Sequence, residues 1–147
     1  MPSRCRNCWT SAIAAGASGA ALIIDYGHAQ TAPGDTLQAL RQHRFAAITE
    51  TPGECDLTSH VDFEALAKAI TKTGATTWPL LTQRAFLLAM GIEQRSAILA
   101  KKAEGDARAS IERAATRLAH PTQMGNLFKV LAATSPSMAA PYPFAAS

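Results

Sequence analysis

The run Ala-Ala-Leu-Ile-Ile at positions 20–24 constrains the fold of this chain more than any other stretch. Five apolar residues follow one another without a polar interruption, which is typical of a strand that is buried on both faces of a sheet. A polar group, Asp25-Tyr26-Gly27-His28, begins where the run ends. Ligands of open α/β sheets bind just outside the carboxyl ends of the strands. We therefore expect Asp25, Tyr26 and His28 to lie on a functional surface.

The composition fits one globular domain. Of the 147 residues, 48% are hydrophobic and 17% are charged, a balance that indicates a folded rather than a disordered chain. The net charge is +3, but the basic residues are scattered among acids, so we do not expect nucleic-acid binding. The apolar stretches are too short to predict a membrane span. An odd number of cysteines, three, argues against a disulfide framework and favours the cytoplasm.

A Cys-x-x-Cys pair, Cys5 and Cys8, leaves a zinc site open as an alternative. This spacing is half of a zinc-binding motif. However, no second pair follows, and Cys55 and the four histidines lack the spacing of a zinc finger. We therefore predict no metal, and we expect residues 1–18 to be divergent or disordered.

Two helices have well-marked starts. Asp62 and Thr82 are residue types that cap helix N-termini, and apolar residues flank each of them at the positions of a hydrophobic staple. Gly74 and Gly91 are the expected stops. Two further helices are predicted over 93–103 and 106–120.

Two more strands complete the predicted order, which is that of an α/β fold with too few strands to close a sheet. Pro79 lacks a backbone N–H, so the strand predicted over 75–81 belongs at a sheet edge. A last apolar strand is predicted over 127–133. The Pro/Ala/Ser-rich tail 135–147 is expected to be disordered, and the region 36–48 supports no firm prediction.

Six phrases together resemble one family. They are Ala-Leu-Ile-Ile-Asp-Tyr-Gly-His (21–28), Gly-Asp-Thr-Leu-Gln-Ala (34–39), His-Arg-Phe (43–45), Asp-Leu-Thr-Ser-His-Val-Asp-Phe (56–63), Thr-Gln-Arg-Ala-Phe-Leu-Leu-Ala-Met-Gly-Ile (82–92) and Gln-Met-Gly-Asn-Leu-Phe-Lys-Val-Leu (123–131). In this order they resemble the C-terminal part of the MidA-like proteins, which are class I S-adenosylmethionine-dependent methyltransferases. Mitochondrial members of that family assist the assembly of respiratory complex I by methylating an arginine of one subunit.

The resemblance implies a fold and a function. Residues 19–134 would be the C-terminal portion of a Rossmann-like sheet, with an inserted helical segment. Residues 20–24, 76–81 and 127–133 would be its fifth, sixth and seventh strands, and the seventh would be antiparallel and lie between the other two. The intact protein would methylate a protein arginine, with a complex I subunit as a partner, in the cytoplasm or in the mitochondrial matrix of a eukaryote.

The loop that binds the methyl donor in this family is missing from the sequence. The family carries an acidic-Gly-x-Gly-x-Gly loop after its first strand, whereas Gly16 and Gly19 precede the strand at 20–24. We therefore expect a fragment that binds no S-adenosylmethionine and is inactive alone.

Five residues are candidates for the methyl-acceptor side of the cleft. Asp25, Tyr26 and His28 follow the first strand, while Asp56 and His60 form an acid and a base that would face an arginine substrate. The alternative is a free-standing, non-catalytic α/β module that binds a partner protein through the apolar edge of its sheet and holds metal through Cys5 and Cys8.

Overall fold

A computed structural model of the chain describes residues 18–42, 44–49 and 53–145. The predictions for residues 1–17, including those for Cys5 and Cys8, lie outside these ranges. The described strands are β1 (Ala20–His28), β2 (Gln38–Arg41), β3 (Arg44–Ala46), β4 (Asp56–Thr58), β5 (Val61–Asp62), β6 (Thr76–Thr77), β7 (Leu81–Thr82) and β8 (Phe128–Thr134). The described helices are α1 (Phe63–Thr71), α2 (Gln83–Ala89), α3 (Ile92–Lys101) and α4 (Gly105–Ala119), and a kinked turn, Pro121–Gly125, follows α4.

The main sheet is organised around β8. Its strand order is β5-β1-β8-β6, and β7 also pairs with β8. Strand β8 is antiparallel to β1 over Ala20–Tyr26 and antiparallel to β6 and β7 on its other side. The prediction that the last strand lies between the other two and runs antiparallel to them is confirmed. The mixed α/β class is confirmed as well.

Strand β1 forms as predicted, but it is not buried on both faces. Leu22 and Ile24 are 49% and 48% exposed. Successive side chains of a strand alternate between its faces, so these two residues share one face, and the described residues cover that face only in part. An unbroken apolar run shows that a strand is hydrophobic, but it does not show which other segments cover its faces. For this reason the prediction of burial on both faces was wrong.

The tail after Ser135 packs against the sheet, so the prediction of disorder is wrong for residues 135–145. Phe144 is only 3% exposed and forms a core cluster with Val130 and Ala132. The hydroxyl of Tyr142 donates to the Ala89 carbonyl at 2.8 Å. One buried aromatic side chain anchors this segment, and a single phenylalanine creates no periodicity that a sequence pattern would reveal.

The predicted helix N-caps are confirmed. The Asp62 carboxylate accepts from the N–H of Ala65 at 2.9 Å, and the Thr82 hydroxyl accepts from the N–H of Ala85 at 3.1 Å. Gly91 has a φ of 81°, a left-handed conformation that favours glycine, and it separates α2 from α3.

The strand predicted over 75–81 is split in two at its centre. Trp78 donates its N–H to the Ala132 carbonyl of β8 at 3.0 Å, but Pro79 has no N–H to donate. Strands β6 and β7 therefore pair with β8 on either side of this interruption, and the predicted edge position is confirmed.

A second, antiparallel sheet has the strand order β3-β2-β4. Strands β2 and β3 lie in the region 36–48, for which the sequence supported no firm prediction, and β4 lies further along the chain. Ala39 is buried in this sheet, whereas Phe45 and Leu57 are 78% and 58% exposed. In the described part of the chain, no helix combines the length and apolarity needed to cross a bilayer.

Candidate functional site

Polar and aromatic side chains converge where β1 ends and α1 begins. Strands β1 and β5 pair in parallel, with Gly27 opposite Val61 and His28 opposite Asp62. Parallel strands place their carboxyl ends at the same edge of a sheet. We call the group formed by Tyr26, His28, His60 and Asp62 the β1 corner.

Gly27 allows β5 to lie this close to β1. A Cβ atom at position 27 would stand 2.1 Å from the carbonyl oxygen of Val61, far inside van der Waals contact. Any side chain here would push β5 away and would separate His28 from Asp62.

Two aromatic contacts hold the Tyr26 ring. Its centroid lies 5.7 Å from that of His60 at an interplanar angle of 72°, and 5.6 Å from that of Phe128 at 81°. Such edge-to-face pairs each contribute about 0.5–1.5 kcal/mol beyond the burial of their area. The ring of Tyr26 is therefore fixed between β8 and the segment that leads into β5.

Asp62 has two roles in the β1 corner. One carboxylate oxygen caps α1, and the other accepts the hydroxyl hydrogen of Thr31 at 2.7 Å and lies 4.0 Å from His28 Nε2. The bond from the Ala65 N–H, then that from Thr31, and the nearby His28 lower the pKa of Asp62 below its ordinary value and outweigh the opposite effect of burial. Asp62 is therefore a carboxylate held ionised beside a histidine.

Thr31 ties the loop after β1 to the first turn of α1. Besides its bond to Asp62, Thr31 donates its backbone N–H to Glu64 Oε2 at 2.8 Å. The hydrogen bond from Lys68, followed by the bond from Thr31, lowers the pKa of Glu64. Two ionised carboxylates thus anchor this loop.

Lys129 supports the β1 corner from β8. Its Nζ donates to the carbonyls of Gly27, Asn126 and Leu127 at 3.0, 2.6 and 3.3 Å. Burial lowers the pKa of Lys129. Because all three ammonium hydrogens have acceptors, Lys129 acts as a tether for the end of β1.

The structure brings together three of the five predicted site residues. Tyr26, His28 and His60 lie in the β1 corner. Asp25 accepts the N–H of Tyr26 at 2.8 Å and so turns toward its own backbone. Asp56 lies in the second sheet, opposite Leu40 and exposed to solvent.

Sequence analysis missed four residues that shape the corner, namely Thr31, Glu64, Phe128 and Lys129. Phe128 and Lys129 begin the strand that was predicted beside β1, so a correct register would have placed them opposite Tyr26 and Asp25. No local pattern connects Thr31 to Glu64, which is 33 positions away. Within the described residues, no group of three or more ligating side chains is arranged to hold a metal ion.

Comparison with known proteins identifies the family. Residues 2–80, more than half of the chain, match the family described as "Putative S-adenosyl-L-methionine-dependent methyltransferase". The chain belongs to this family. The match begins at residue 2, and therefore it includes the N-terminal residues that we expected to be divergent.

Protein arginine methyltransferase NDUFAF7, mitochondrial, is similar to this chain in several vertebrates. The protein from Danio rerio is 38% identical over 111 residues, which are 76% of this chain and 26% of that protein. The protein from Rattus norvegicus is 37% identical over 119 residues (80% and 27%), and the one from Homo sapiens is 35% identical over 115 residues (78% and 26%). The chain thus spans about a quarter of the length of the curated relatives it matches.

Two crystal structures of Burkholderia thailandensis proteins from one superfamily share the fold. One is an uncharacterized protein, with a TM-score of 0.77 at 30% identity. The matched region covers 95% of this chain and 39% of that protein's chain. The other, described as a "likely methyl transferase" bound to S-adenosyl-homocysteine, gives 0.72 at 29% identity and covers 95% and 38%. With the family match and the NDUFAF7 relatives, these structures confirm the resemblance to MidA-like methyltransferases.

The described residues do not fit a complete site for the methyl donor. Such a site needs glycines in a loop that follows a strand and opens a helix. Gly27 is packed against Val61, and a Cβ on Gly125 would stand 2.5 Å from the Ala119 carbonyl oxygen. Four others have positive φ in turns or at helix ends, namely Gly53, Gly74, Gly91 and Gly105.

Proposed function

We propose that this chain is the C-terminal part of an S-adenosylmethionine-dependent methyltransferase domain whose intact form methylates an arginine of a protein. In this proposal β1, the β6–β7 pair and β8 are the fifth, sixth and seventh strands of the sheet. The strand order carries the proposal, because β8 is antiparallel to β1 and β6 and lies between them in a chain of a methyltransferase family.

The chain alone is inactive in this proposal. Three observations support this. The chain spans about a quarter of its relatives' length, one edge of β1 lacks a partner strand over Ala20–Tyr26 in the described residues, and no described glycine loop fits the methyl donor. We expect the chain alone to bind neither S-adenosylmethionine nor S-adenosylhomocysteine.

The β1 corner is the proposed acceptor side of the cleft. Aromatic rings and ionised carboxylates attract the planar cation of an arginine side chain, and Tyr26, His60 and Asp62 supply both. His28, 4.0 Å from the Asp62 carboxylate, is the proposed acceptor for the proton that the methylated nitrogen releases. Asp56 receives no role, because it belongs to the second sheet.

The partners and the compartment follow the relatives in this proposal. Their name, protein arginine methyltransferase, supports a protein substrate, and a respiratory complex I subunit is the first candidate to test. Those relatives are also named mitochondrial. In a eukaryote the proposed compartment is the mitochondrial matrix, and elsewhere it is the cytoplasm.

A chimera tests the proposed function. This chain replaces the segment of the Danio rerio relative that it matches, and methyl transfer to protein arginine is measured with radiolabelled donor. We expect an active chimera and no turnover by the chain alone. A folded chimera that binds the donor without transferring the methyl group would contradict the proposal, and so would turnover by the chain alone.

Two substitutions in the chimera test the β1 corner. His28→Asn should lower the rate of methyl transfer by about 100-fold or more, as loss of a general base does, while donor binding stays unchanged. Arg108→Ala is the matched control, because Arg108 is exposed on α4, where it pairs with Glu112. An equal loss of rate in both variants would remove His28 from the proposed site.

A further inference from the structure

Thr31 and His28 both lie against one oxygen atom of Asp62. The Thr31 hydroxyl donates to Asp62 Oδ2 at 2.7 Å, and His28 Nε2 lies 4.0 Å from the same atom. The other oxygen, Oδ1, accepts the N–H of Ala65 at 2.9 Å and so caps α1. Each oxygen of this carboxylate therefore has its own anchor, and Thr31 anchors the oxygen that lies beside His28.

The helix cap alone would leave the oxygen beside His28 free to move. The terminal torsion of an aspartate side chain has only broad preferences, so a carboxylate that is held at Oδ1 can still turn. The Thr31 hydroxyl removes this freedom, because a planar group that is held at both oxygens has one orientation. In that orientation Oδ2 of Asp62 lies beside His28 before any substrate binds.

Thr31 is itself held in place by the first turn of α1. Its backbone N–H donates to Glu64 Oε2 at 2.8 Å, and the other oxygen of Glu64, Oε1, accepts from the ammonium group of Lys68. Only two residues separate Thr31 from His28 in the chain. The Thr31 hydroxyl therefore extends from a backbone position that is fixed independently of Asp62.

The orientation of Asp62 matters for the proton transfer that the proposed function assigns to His28. A proton moves from the arginine nitrogen to the imidazole, which then becomes a cation. A carboxylate oxygen 4.0 Å away stabilises that cation. A charged group that is already oriented needs no rearrangement at the moment of reaction, so turning Oδ2 away from His28 would raise the barrier.

We propose that Thr31 is a positioning residue for methyl transfer, which acts through Asp62 by holding Oδ2 beside His28. The inference rests on the proposed function, because it concerns the same corner. A simple loop anchor would not need the hydroxyl, since the backbone bond from Thr31 to Glu64 already ties the loop to α1. The hydroxyl therefore has the separate role of orienting Asp62.

The titration of Asp62 tests this contact without any methyl transfer. The Ala65 N–H and then the Thr31 hydroxyl lower the pKa of Asp62. Thr31→Val, which keeps the branched shape but lacks the hydroxyl, should raise this pKa toward its ordinary value of 3.8. Thr31→Ser, which keeps a hydroxyl, should leave it near that of the wild type. Carboxyl-carbon NMR of the full chain measures the pKa, and an unchanged value in Thr31→Val would overturn the proposal.

Kinetics of the chimera with the Danio rerio relative test the role in methyl transfer. Thr31→Val should lower kcat by about 10-fold or more, as small displacements of a reacting arrangement do, while donor binding stays unchanged. Thr31→Ser should restore most of the wild-type rate. Thr116→Val is the matched control, because it removes an exposed hydroxyl that bonds to the Glu112 carbonyl within α4, and it should leave kcat unchanged.

The outcomes separate this inference from the proposed function. An unchanged kcat in Thr31→Val, or a Thr31→Ser variant as slow as Thr31→Val, would overturn the inference alone. A loss of rate in Thr116→Val equal to that in Thr31→Val would do the same. A chimera without these substitutions that binds the donor but transfers no methyl group would overturn the proposed function, and this inference with it. Far-UV circular dichroism verifies that the variants fold.

Discussion

Gly27 and Lys129 fix the carboxyl end of β1 from two directions. The missing side chain of Gly27 lets the backbone of β5 approach, and its carbonyl accepts a hydrogen bond from the Lys129 ammonium. Tyr26 and His28 flank Gly27 in the chain, so their backbone positions are fixed by the same contacts. The β1 corner is therefore preorganised by groups that do not themselves face a substrate.

Replacing Gly27 by alanine should destabilise the fold. The new Cβ would stand 2.1 Å from the Val61 carbonyl oxygen, and forced repacking of this kind costs about 1–3 kcal/mol in the free energy of unfolding. Gly34→Ala is the control, because a Cβ there meets nothing within 4 Å. Urea denaturation measures both variants, and equal midpoints would refute the steric argument.

The ionised carboxylate of Asp62 should make the free energy of unfolding depend on pH in the acidic range. Its pKa is lowered from the ordinary value of 3.8 by the Ala65 N–H, by Thr31 and by His28. A depressed folded-state pKa contributes stability that is present above the ordinary value and is lost as the pH falls through the folded value. At neutral pH the wild type should therefore have a higher free energy of unfolding than Asp62→Asn. This difference should disappear as the pH falls below 3.8.

Asparagine is the appropriate replacement because it also caps helices. Urea midpoints of the two proteins, measured across this pH range, provide the test. If the difference between them stays constant with pH, the charge of Asp62 contributes nothing to the fold.

At the scale of elements, the sequence predicted best where a local rule fixes the backbone. The caps Asp62 and Thr82 and the edge position of the strand that contains Pro79 follow from backbone hydrogen bonding over a few residues, and all three are confirmed, although that strand is interrupted at Pro79. The half-exposed face of β1 and the buried Phe144 depend on neighbours far along the chain. The same holds for the candidate site. The polar residues at the end of β1 could be predicted from the sequence, but the contacts of Thr31 could not.

The C-terminal segment should contribute measurably to stability. Phe144 is buried in one cluster with Val130 and Ala132, and truncation of a buried phenylalanine costs about 3–5 kcal/mol. We expect Phe144→Ala to lower the free energy of unfolding by an amount near the lower end of that range. Thermal and urea unfolding measure the loss.

Tyr142→Phe is the companion variant for this segment. It removes only the hydrogen bond from an exposed hydroxyl to Ala89, so it should cost about 1 kcal/mol or less. If Phe144→Ala were no more destabilising than Tyr142→Phe, residues 135–145 would not be part of the core.

At the scale of the whole molecule, the two sheets differ in how many apolar side chains they bury. Strand β8 has partner strands on both sides, and its residues from Val130 to Thr134 are buried. The second sheet buries Ala39 but leaves Phe45 and Leu57 largely exposed. Local opening follows the number of buried apolar contacts, so the second sheet should open without the first.

Native-state amide hydrogen exchange measures this difference. The amides of β2 should exchange through local opening, well below the free energy of unfolding, while the amides of β8 should require global unfolding. Leu131→Ala, in the core of the main sheet, should cost about 2–5 kcal/mol and should accelerate exchange in β8. Leu57→Ala should change the free energy of unfolding by about 0.5 kcal/mol or less. Exchange of β2 at the rate of β8 would instead mean that the two sheets unfold as one cooperative unit, and then the exposed surface of the second sheet would need another source of stability.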